Sequence, residues 1–258
     1  MGVQIHPQHG TYQKMRRAAR EAEEIGADVL YTWDHFFPLY GTADGAHFEC
    51  WSLLAAWAEI TERIELGPLV SCNSYRNPNL LADMARTVDH ISGGRLVFGI
   101  GSGWFERDYQ EYGYEFGTAA SRLRQLERNL PVIIERWSRL TPPPIRRPPI
   151  LIGGVGERIT LRLVARYADI WHALFPSSPE ELEPKVAALD RWCRTVDRDP
   201  RDIEWSVGLE PDALEHDLEH YADAYLELGF THITLGVNGP DYDLDPVKDW
   251  LAWRDEQN

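Results

Sequence analysis

Eight short apolar segments alternate along this chain with longer stretches that have helical periodicity. The segments are residues 3–5, 29–33, 64–71, 96–101, 150–154, 169–174, 204–209 and 232–237. Strands that alternate with helices in this way are typical of βαβ units and a parallel sheet. Eight such units are the number that closes into a (β/α)₈ barrel. The sequence therefore predicts an α/β fold, a single TIM barrel domain over residues 1–258, with functional groups just after each strand.

Helical patterns fill the spaces between these segments. Apolar residues recur at spacings of three and four within residues 12–25, 51–63, 78–92, 120–137, 157–167, 179–196, 215–228 and near the C-terminus. Pro131 lies inside one pattern, so we expect a kink or a break there. Two long loops, 34–50 and 102–118, follow the second and fourth strands and are rich in aromatic residues. We expect both loops to pack, around a flat ligand, because disordered segments are poor in aromatics.

Bulk composition excludes two classes of partner. The 258-residue chain has a formal net charge of −15, and nucleic acids are bound by basic faces, so we expect no nucleic acid partner. Mean hydropathy is −0.40, and no apolar run approaches the roughly 20 residues of a membrane span, so we expect no membrane partner. The absence of a leader-like N-terminus and the odd, widely spaced cysteines favour a cytoplasmic location.

The Asp34-His35 pair leaves the second predicted strand. A histidine exchanges a proton near neutral pH, and a neighbouring carboxylate orients it. The pair is either part of a site or a capping aspartate beside an ordinary loop histidine. Glu106 and Asp108, in the second long loop, are either site carboxylates or solvated loop acids. Glu106 is our second catalytic candidate.

Glycines follow two other predicted strands. Gly153, Gly154, Val155 and Gly156 lead into a helix beside Arg158, and a helix start with exposed amides binds anions. This segment is either a phosphate cradle or only a tight turn. Gly101, Ser102 and Gly103 precede Trp104, and alternate glycines give either a clear face for a planar ring or a close-packed turn. The histidines lack HxH or HExxH spacing, so we expect no metal site.

Five stretches together resemble the luciferase-like flavin and deazaflavin oxidoreductases, and within them the branch that uses the deazaflavin coenzyme F420. They are residues 33–38, 74–78, 87–96, 101–104, and 150–154 followed by 160–169. The resemblance covers essentially the whole chain. It implies a (β/α)₈ fold and hydride transfer between the coenzyme and a small organic substrate, with Asp34 at the deazaflavin ring and His35 as acid/base.

The resemblance also implies a bulge after the third strand, often with a non-proline cis peptide, which by position involves Ser71 and Cys72. It places the cofactor phosphate and tail at Gly101, Ser102 and Gly103 and at the glycines that follow the fifth strand. Trp104 and Phe105 stand where sugar-phosphate dehydrogenases of this branch have a glutamate, which argues against a sugar phosphate substrate. Glu106 is out of step with that position.

Three functions stay open on the sequence. The first is an F420-dependent oxidoreductase, the second an FMN-dependent monooxygenase fed by a separate reductase, and the third a non-catalytic cofactor-binding protein. We also expect a homodimer, because Trp250 and Trp253 are predicted to be exposed near the C-terminus and exposed apolar patches mark contacts.

Overall fold

A ring of parallel strands forms the centre of the computed structural model, which describes residues 1–209 and 218–256. The strands are β1 (Gly2–Ile5), β2 (Val29–Thr32), β3 (Glu65–Pro68), β4 (Ser71–Cys72), β5 (Phe98–Gly101), β6 (Ile150–Gly153), β7 (Ile170–Ala173), β8 (Glu204–Leu209) and β9 (His232–Val237). All eight predicted segments contain a strand. The third is split into β3 and β4, so nine strands arise from eight segments.

The sheet runs in the order β3-β2-β1-β9-β8-β7-β6-β5-β4, and every pairing is parallel. Its two ends meet where Leu66 pairs with Leu96. The Leu66 amide donates to Arg95 at 3.1 Å, and the Val97 amide donates to Leu66 at 2.9 Å. These bonds close the barrel, so the predicted TIM barrel is confirmed.

Helices cover the outside of this ring. They are α1 (Tyr12–Glu24), α2 (Cys50–Ile60), α3 (Pro78–Ile91), α4 (Glu106–Tyr112), α5 (Ala119–Arg139), α6 (Thr160–Tyr167), α7 (Glu183–Thr195), α8 (Leu218–Glu227) and α9 (Asp245–Glu256). Short 3₁₀ turns precede α7 and β8. The predicted helix 215–228 corresponds to α8. Residues 215–217 of that prediction lie outside the described residues. α4 was not predicted.

Two expectations about helices need correction. α5 continues through Pro131, so the predicted break is wrong; the exposed turn tolerates the one lost backbone hydrogen bond. Trp250 and Trp253 are buried, with 1% and 8% of their surface exposed. Both rings pack into the main core with α9, so they give no support to a dimer.

The apolar residues divide between two layers. Alternate strand residues such as Val3 and Ile5 join the large core between barrel and helices. A smaller cluster of Val29, Tyr31, Leu69, Val97, Leu151 and Ile170 fills the barrel itself. This alternation is the period of two that a barrel requires. Within the described residues, no helix has the length and apolar character needed to cross a bilayer.

Candidate active site

Asp34 lies just beyond β2, and only 1% of its surface is exposed. Its Oδ2 accepts hydrogen bonds from Ser71 Oγ at 2.9 Å and from the Cys72 amide at 3.0 Å. Arg76 donates to Oδ2 at 2.6 Å and to Oδ1 at 3.0 Å. Burial alone would lower the pKa of Arg76, but Asp34 raises it overall, so the guanidinium is charged. Asp34 therefore ties the end of β2 to β4.

His35 is held by a carboxylate from another loop. Its Nδ1 lies 2.7 Å from Oδ2 of Asp108, which is fully buried on α4. Asp108 also accepts from the Tyr75 hydroxyl at 2.7 Å and from the Phe36 amide at 3.1 Å. Burial raises the pKa of Tyr75, and nearby Cys72 and Asp108 raise it further, so this phenol stays a donor. The network places a hydrogen on Nδ1, facing Asp108, and leaves Nε2 free of this carboxylate.

Glu106 does not take part in this network. Its side chain is exposed, and it accepts a hydrogen bond from Gln110 at 3.0 Å. Residues two apart on an α-helix point about 200° away from each other. When Asp108 faces His35, Glu106 must face the opposite way. We therefore move the position of second site carboxylate from Glu106 to Asp108.

Aromatic rings surround His35. Trp104 and Phe105 meet it edge-on, with ring centroids 5.7 and 5.5 Å away. Trp104 is 60% exposed. The predicted packing of the two long loops is confirmed, but their rings contact each other: Phe36 stacks on Tyr112 at 4.0 Å. The two loops therefore pack directly against each other, whereas we had expected them to pack around a flat ligand.

The third strand is interrupted by a cis peptide between Leu69 and Val70. The resemblance placed such a bond by position at Ser71 and Cys72, and the structure places it two residues earlier. Ser71 and Cys72 instead donate hydrogen bonds to Asp34 and contact two aromatic neighbours. Ser71 Oγ accepts from Trp51 at 3.1 Å, and Cys72 Sγ lies 3.2 Å from the hydroxyl of Tyr109. Burial raises the pKa of Cys72 to about 11, so the thiol is protonated.

Val70 covers the glycines that end two strands. A Cβ built on Gly101 would lie 2.7 Å from Val70 Cγ2, and one on Gly153 would lie 3.0 Å from Val70 Cγ1. At Gly103, whose φ is +79°, a Cβ would meet the Tyr109 hydroxyl at 2.1 Å. Protein atoms therefore occupy the space that we predicted for a ring or a phosphate beside Gly101 and Gly103. Ser102, between them, is partly buried.

The glycine turn after β6 leads into α6. Gly154 has a φ of +127°, which favours glycine, and its carbonyl accepts from Trp171 Nε1 at 2.9 Å. Ile159 precedes α6 and gives it no side-chain cap. Val155 is partly buried, whereas Gly156 and Arg158 are exposed. Uncapped helix amides beside an exposed guanidinium can bind an anion.

Buried histidines near the strand ends are neutral. Burial lowers the pKa of His6 to about 4, although a hydrogen bond with Asn238 opposes this shift. Burial and nearby His232 lower the pKa of His172 to about 3. In the part of the chain that the structure describes, no group of three or more His, Cys, Asp or Glu residues forms a metal-binding cluster.

The structure brings the predicted residues together in three groups at the carboxyl end of the barrel. In the first group Asp34 is hydrogen-bonded to Ser71 and Cys72. In the second, the His35 ring contacts the Trp104 ring. In the third, Gly101 and Gly153 both lie against the Val70 side chain. Sequence reasoning named Asp108 only as an alternative and missed Tyr75, Arg76 and Val70. A buried tyrosine next to Asp108 is the one local signal that could have favoured it over Glu106.

Comparison with known proteins gives relatives of several activities. The family model described as luciferase-like monooxygenase matches residues 1–232. An F420-dependent glucose-6-phosphate dehydrogenase of Amycolatopsis mediterranei is 32% identical over 46% of this chain. A phthiodiolone/phenolphthiodiolone dimycocerosates ketoreductase of Mycobacterium bovis is 31% identical over 73% of it. The matches span 36% of the length of the dehydrogenase and 58% of that of the ketoreductase.

A solved structure is similar over nearly the whole chain. It is an F420-dependent secondary alcohol dehydrogenase in complex with an F420-acetone adduct, with a TM-score of 0.85 and 17% identity. The alignment covers 96% of both chains. At this identity the likeness establishes the fold. Because the family model matches most of its length, the chain belongs to the luciferase-like monooxygenase family.

Proposed function

We propose that this protein is an oxidoreductase that uses coenzyme F420 and transfers a hydride between it and a small organic substrate. Two of the similar proteins, the glucose-6-phosphate dehydrogenase and the secondary alcohol dehydrogenase, are F420-dependent enzymes. The observation that carries the proposal is the buried Asp108–His35 pair at the carboxyl end of the barrel. A histidine oriented by a carboxylate can act as a general acid or base, which is what oxidation of an alcohol or reduction of a carbonyl compound requires alongside hydride transfer.

The residues at this end fit a ligand with a flat ring and a phosphate. The bulge around Val70, supported by Asp34, Ser71 and Cys72, presents a rigid backbone for the ring. The uncapped start of α6 supplies amide donors for a phosphate, as the chemistry of a helix N-terminus favours. The remaining residues that we propose to contact the coenzyme are Ser102, Trp104, Gly154, Val155, Gly156 and Arg158; Gly101, Gly103 and Gly153, which Val70 and Tyr109 cover, shape the backbone around it.

When bound, the deazaflavin supplies two-electron hydride chemistry. The chain supplies the proton transfer. His35 Nε2 accepts the hydroxyl proton of an alcohol, or donates it back to a carbonyl oxygen. Asp108 keeps the other ring nitrogen hydrogen-bonded in both states and compensates the imidazolium charge, so it is a positioning residue. The Trp104 and Phe105 rings keep water from His35.

A His35→Ala variant tests the proposal against the non-catalytic alternative. We expect it to lose about 100-fold or more in turnover, the scale of general acid–base catalysis, while the affinity for the coenzyme stays within a few-fold. An exposed control, His90→Ala on α3, is expected to change neither. Unaltered turnover in His35→Ala would favour a role without chemistry at this histidine.

The family name favours one alternative, an FMN-dependent monooxygenase. A deazaflavin lacks the ring nitrogen that supports peroxide chemistry, so the two functions differ in their use of oxygen. Oxygen consumption by the chain with reduced FMN separates them. We expect none above the rate of free reduced FMN.

We propose a homodimer on a different basis from the tryptophans. A groove of about 370 Å³ between α2 and α3 is lined by apolar side chains including Met84 and Leu80, and Leu80 is 53% exposed. A cytoplasmic location is supported by Cys50, Cys72 and Cys193, which are all buried and free. Sedimentation of the purified chain tests the dimer.

A further inference from the structure

We propose that the substrate is a neutral, largely apolar alcohol or carbonyl compound and not a phosphorylated or carboxylated one. This inference rests on the proposed function. It comes from the groups around His35, because any substrate that exchanges a proton with Nε2 has to lie among them.

The first observation is an aromatic rim, defined here as Phe36, Phe37, Trp104, Phe105 and Tyr112. Trp104 and Tyr112 are 60% and 53% exposed, and both belong to the loops that enclose His35. Large rings exposed to this degree beside a proton-exchanging group offer apolar contact area to a ligand. A flat or aliphatic substrate gains most from such a rim.

The second observation concerns positive charge. In the segments that follow the strands, the sequence has Arg76, Arg107 and Arg158 as its only lysines or arginines. Arg76 is bound to Asp34 and to Glu49 at 2.7 Å. Arg107 is bound to Asp44 and to the Ala43 carbonyl.

Arg107 also stacks over Phe37 at 4.0 Å from the ring centroid. Arg122, from α5, is buried and donates to the carbonyls of Gly103 and Phe116. Arg158 lies after β6, where we place the coenzyme phosphate. Arg76, Arg107 and Arg122 thus already have protein partners, and Arg158 is the group that we assign to the coenzyme.

The third observation is the charge of the two loops that form the rim, residues 34–50 and 102–118. Glu111 is exposed on α4, and Asp44 is exposed but already paired with Arg107, the only lysine or arginine in these two loops. An anionic substrate would find no unpaired cation in either loop. Transfer of an unpaired anion into an apolar site is costly, so the rim selects against it.

The test compares three ligands that differ in charge. Acetophenone and 4-acetylbenzoate share a ring and a ketone, and differ by one carboxylate; glucose 6-phosphate carries a phosphate. Calorimetric titration of the full chain, with and without coenzyme F420, gives their affinities. We expect acetophenone to bind about tenfold or more tighter than 4-acetylbenzoate, and glucose 6-phosphate to show no saturable binding.

Variants of the rim sharpen the comparison. Trp104→Ala is expected to weaken acetophenone about tenfold, since aromatic contacts contribute on this scale, whereas Trp104→Phe keeps most of the affinity. Ile145→Ala removes an exposed side chain of similar apolar character far from His35, and is expected to change nothing.

Two outcomes overturn the inference: an anionic ligand that binds as tightly as acetophenone, or no saturable binding of any of the three. A separate titration with the coenzyme alone distinguishes this failure from that of the proposed function. If the coenzyme does not bind, the proposed function fails; if the coenzyme binds and an anionic ligand binds as tightly as acetophenone, only the inference about the substrate fails.

Discussion

Asp108 orients the His35 ring by binding one of its two nitrogens, Nδ1. The carboxylate accepts three hydrogen bonds, from Nδ1 of His35, the Tyr75 hydroxyl and the Phe36 amide. All three partners are donors, so this geometry suits one ring tautomer, with the hydrogen on Nδ1. The orientation of His35 therefore depends on a residue from the loop after β5.

Replacing Asp108 with Asn keeps the shape and removes the charge. We expect Asp108→Asn to lower kcat about 100-fold or more, for two reasons. The amide can stabilise the His35 tautomer with its hydrogen on Nε2, and it does not compensate the charge of a His35 imidazolium. The affinity for the coenzyme should stay within a few-fold. Steady-state kinetics across pH and a coenzyme titration measure both.

Glu106→Gln is the matched control, two residues away on the same helix and exposed. It is expected to keep the kcat of the parent chain. A larger loss in Glu106→Gln than in Asp108→Asn would return the catalytic position to Glu106.

The choice between these two acids shows what the sequence lacks at this scale. Both acids lie in a predicted loop, and their side-chain directions follow only from the short helix α4. Once that helix is given, one of them must face away. The partner of Asp108 is 73 residues distant in the chain, so no local pattern identifies it.

At the scale of elements, the Val70 side chain leaves no room for a Cβ where β5 and β6 end, which explains the glycines at these two positions. A Cβ on Gly101 would lie 2.7 Å from Val70 Cγ2, while the next nearest atom outside this side chain is 3.9 Å away. A valine side chain is stiff, so it cannot move aside cheaply. Gly99 differs, since its Cβ would meet the backbone carbonyl of Pro68 at 1.9 Å.

These distances predict a specific rescue. Gly101→Ala is expected to lower the free energy of unfolding by about 1–3 kcal/mol through overpacking. In Val70→Ala/Gly101→Ala the clash is gone. The free energy of unfolding of the double variant should therefore exceed, by about 1 kcal/mol or more, the value expected from adding the two single losses. Denaturant unfolding of the four proteins measures this coupling.

Gly99→Ala provides the control, because removal of the Val70 side chain does not move the Pro68 carbonyl. We expect no rescue of Gly99→Ala by Val70→Ala. Equal coupling for the two glycines would show that the Val70 contact does not explain them.

For Gly101 and Gly103 the sequence left two alternatives, a clear face for a planar ring or a close-packed turn, and side chains of Val70 and Tyr109 fill that face. Val70 lies in the bulge between β3 and β4, so its placement depends on that bulge. Periodicity fixed the position of the third strand but gave no sign of its interruption.

At the scale of the whole molecule, the barrel interior holds neutral histidines. His172 lies 2.8 Å from Ser206 Oγ and is fully buried, as is His6. Their pKa values fall from 6.5 to about 3 and about 4, mainly through burial. Below pH 6.5 the unfolded chain therefore binds protons at these rings that the folded chain does not.

Stability is accordingly expected to be full above pH 6.5 and to fall as the pH drops toward 4. Between pH 6.5 and pH 4 the loss is about 3 kcal/mol for each histidine, at about 1.36 kcal/mol for each pH unit below 6.5. Urea unfolding at pH 7 and pH 4.5 measures it. His172→Gln should flatten this dependence; an equally steep loss in that variant would exclude His172 as a source.

The barrel as a whole was predictable because it depends on periodicity that repeats along the entire chain. The strands and most helices follow from this periodicity. The carboxyl end of the barrel, where functional groups are expected, follows from the strand directions. What could not be predicted are contacts between loops of different strands, such as Arg76 with Asp34 or Tyr75 with Asp108. Their geometry exists only once the ring is closed.

Binding of the oxidised coenzyme tests the central claim most directly. The purified chain is titrated separately with oxidised coenzyme F420, FMN and NADPH, and binding is followed by fluorescence. We predict saturable binding in the micromolar range for coenzyme F420 alone. Indifference to coenzyme F420, or tighter binding of FMN, would contradict the assignment.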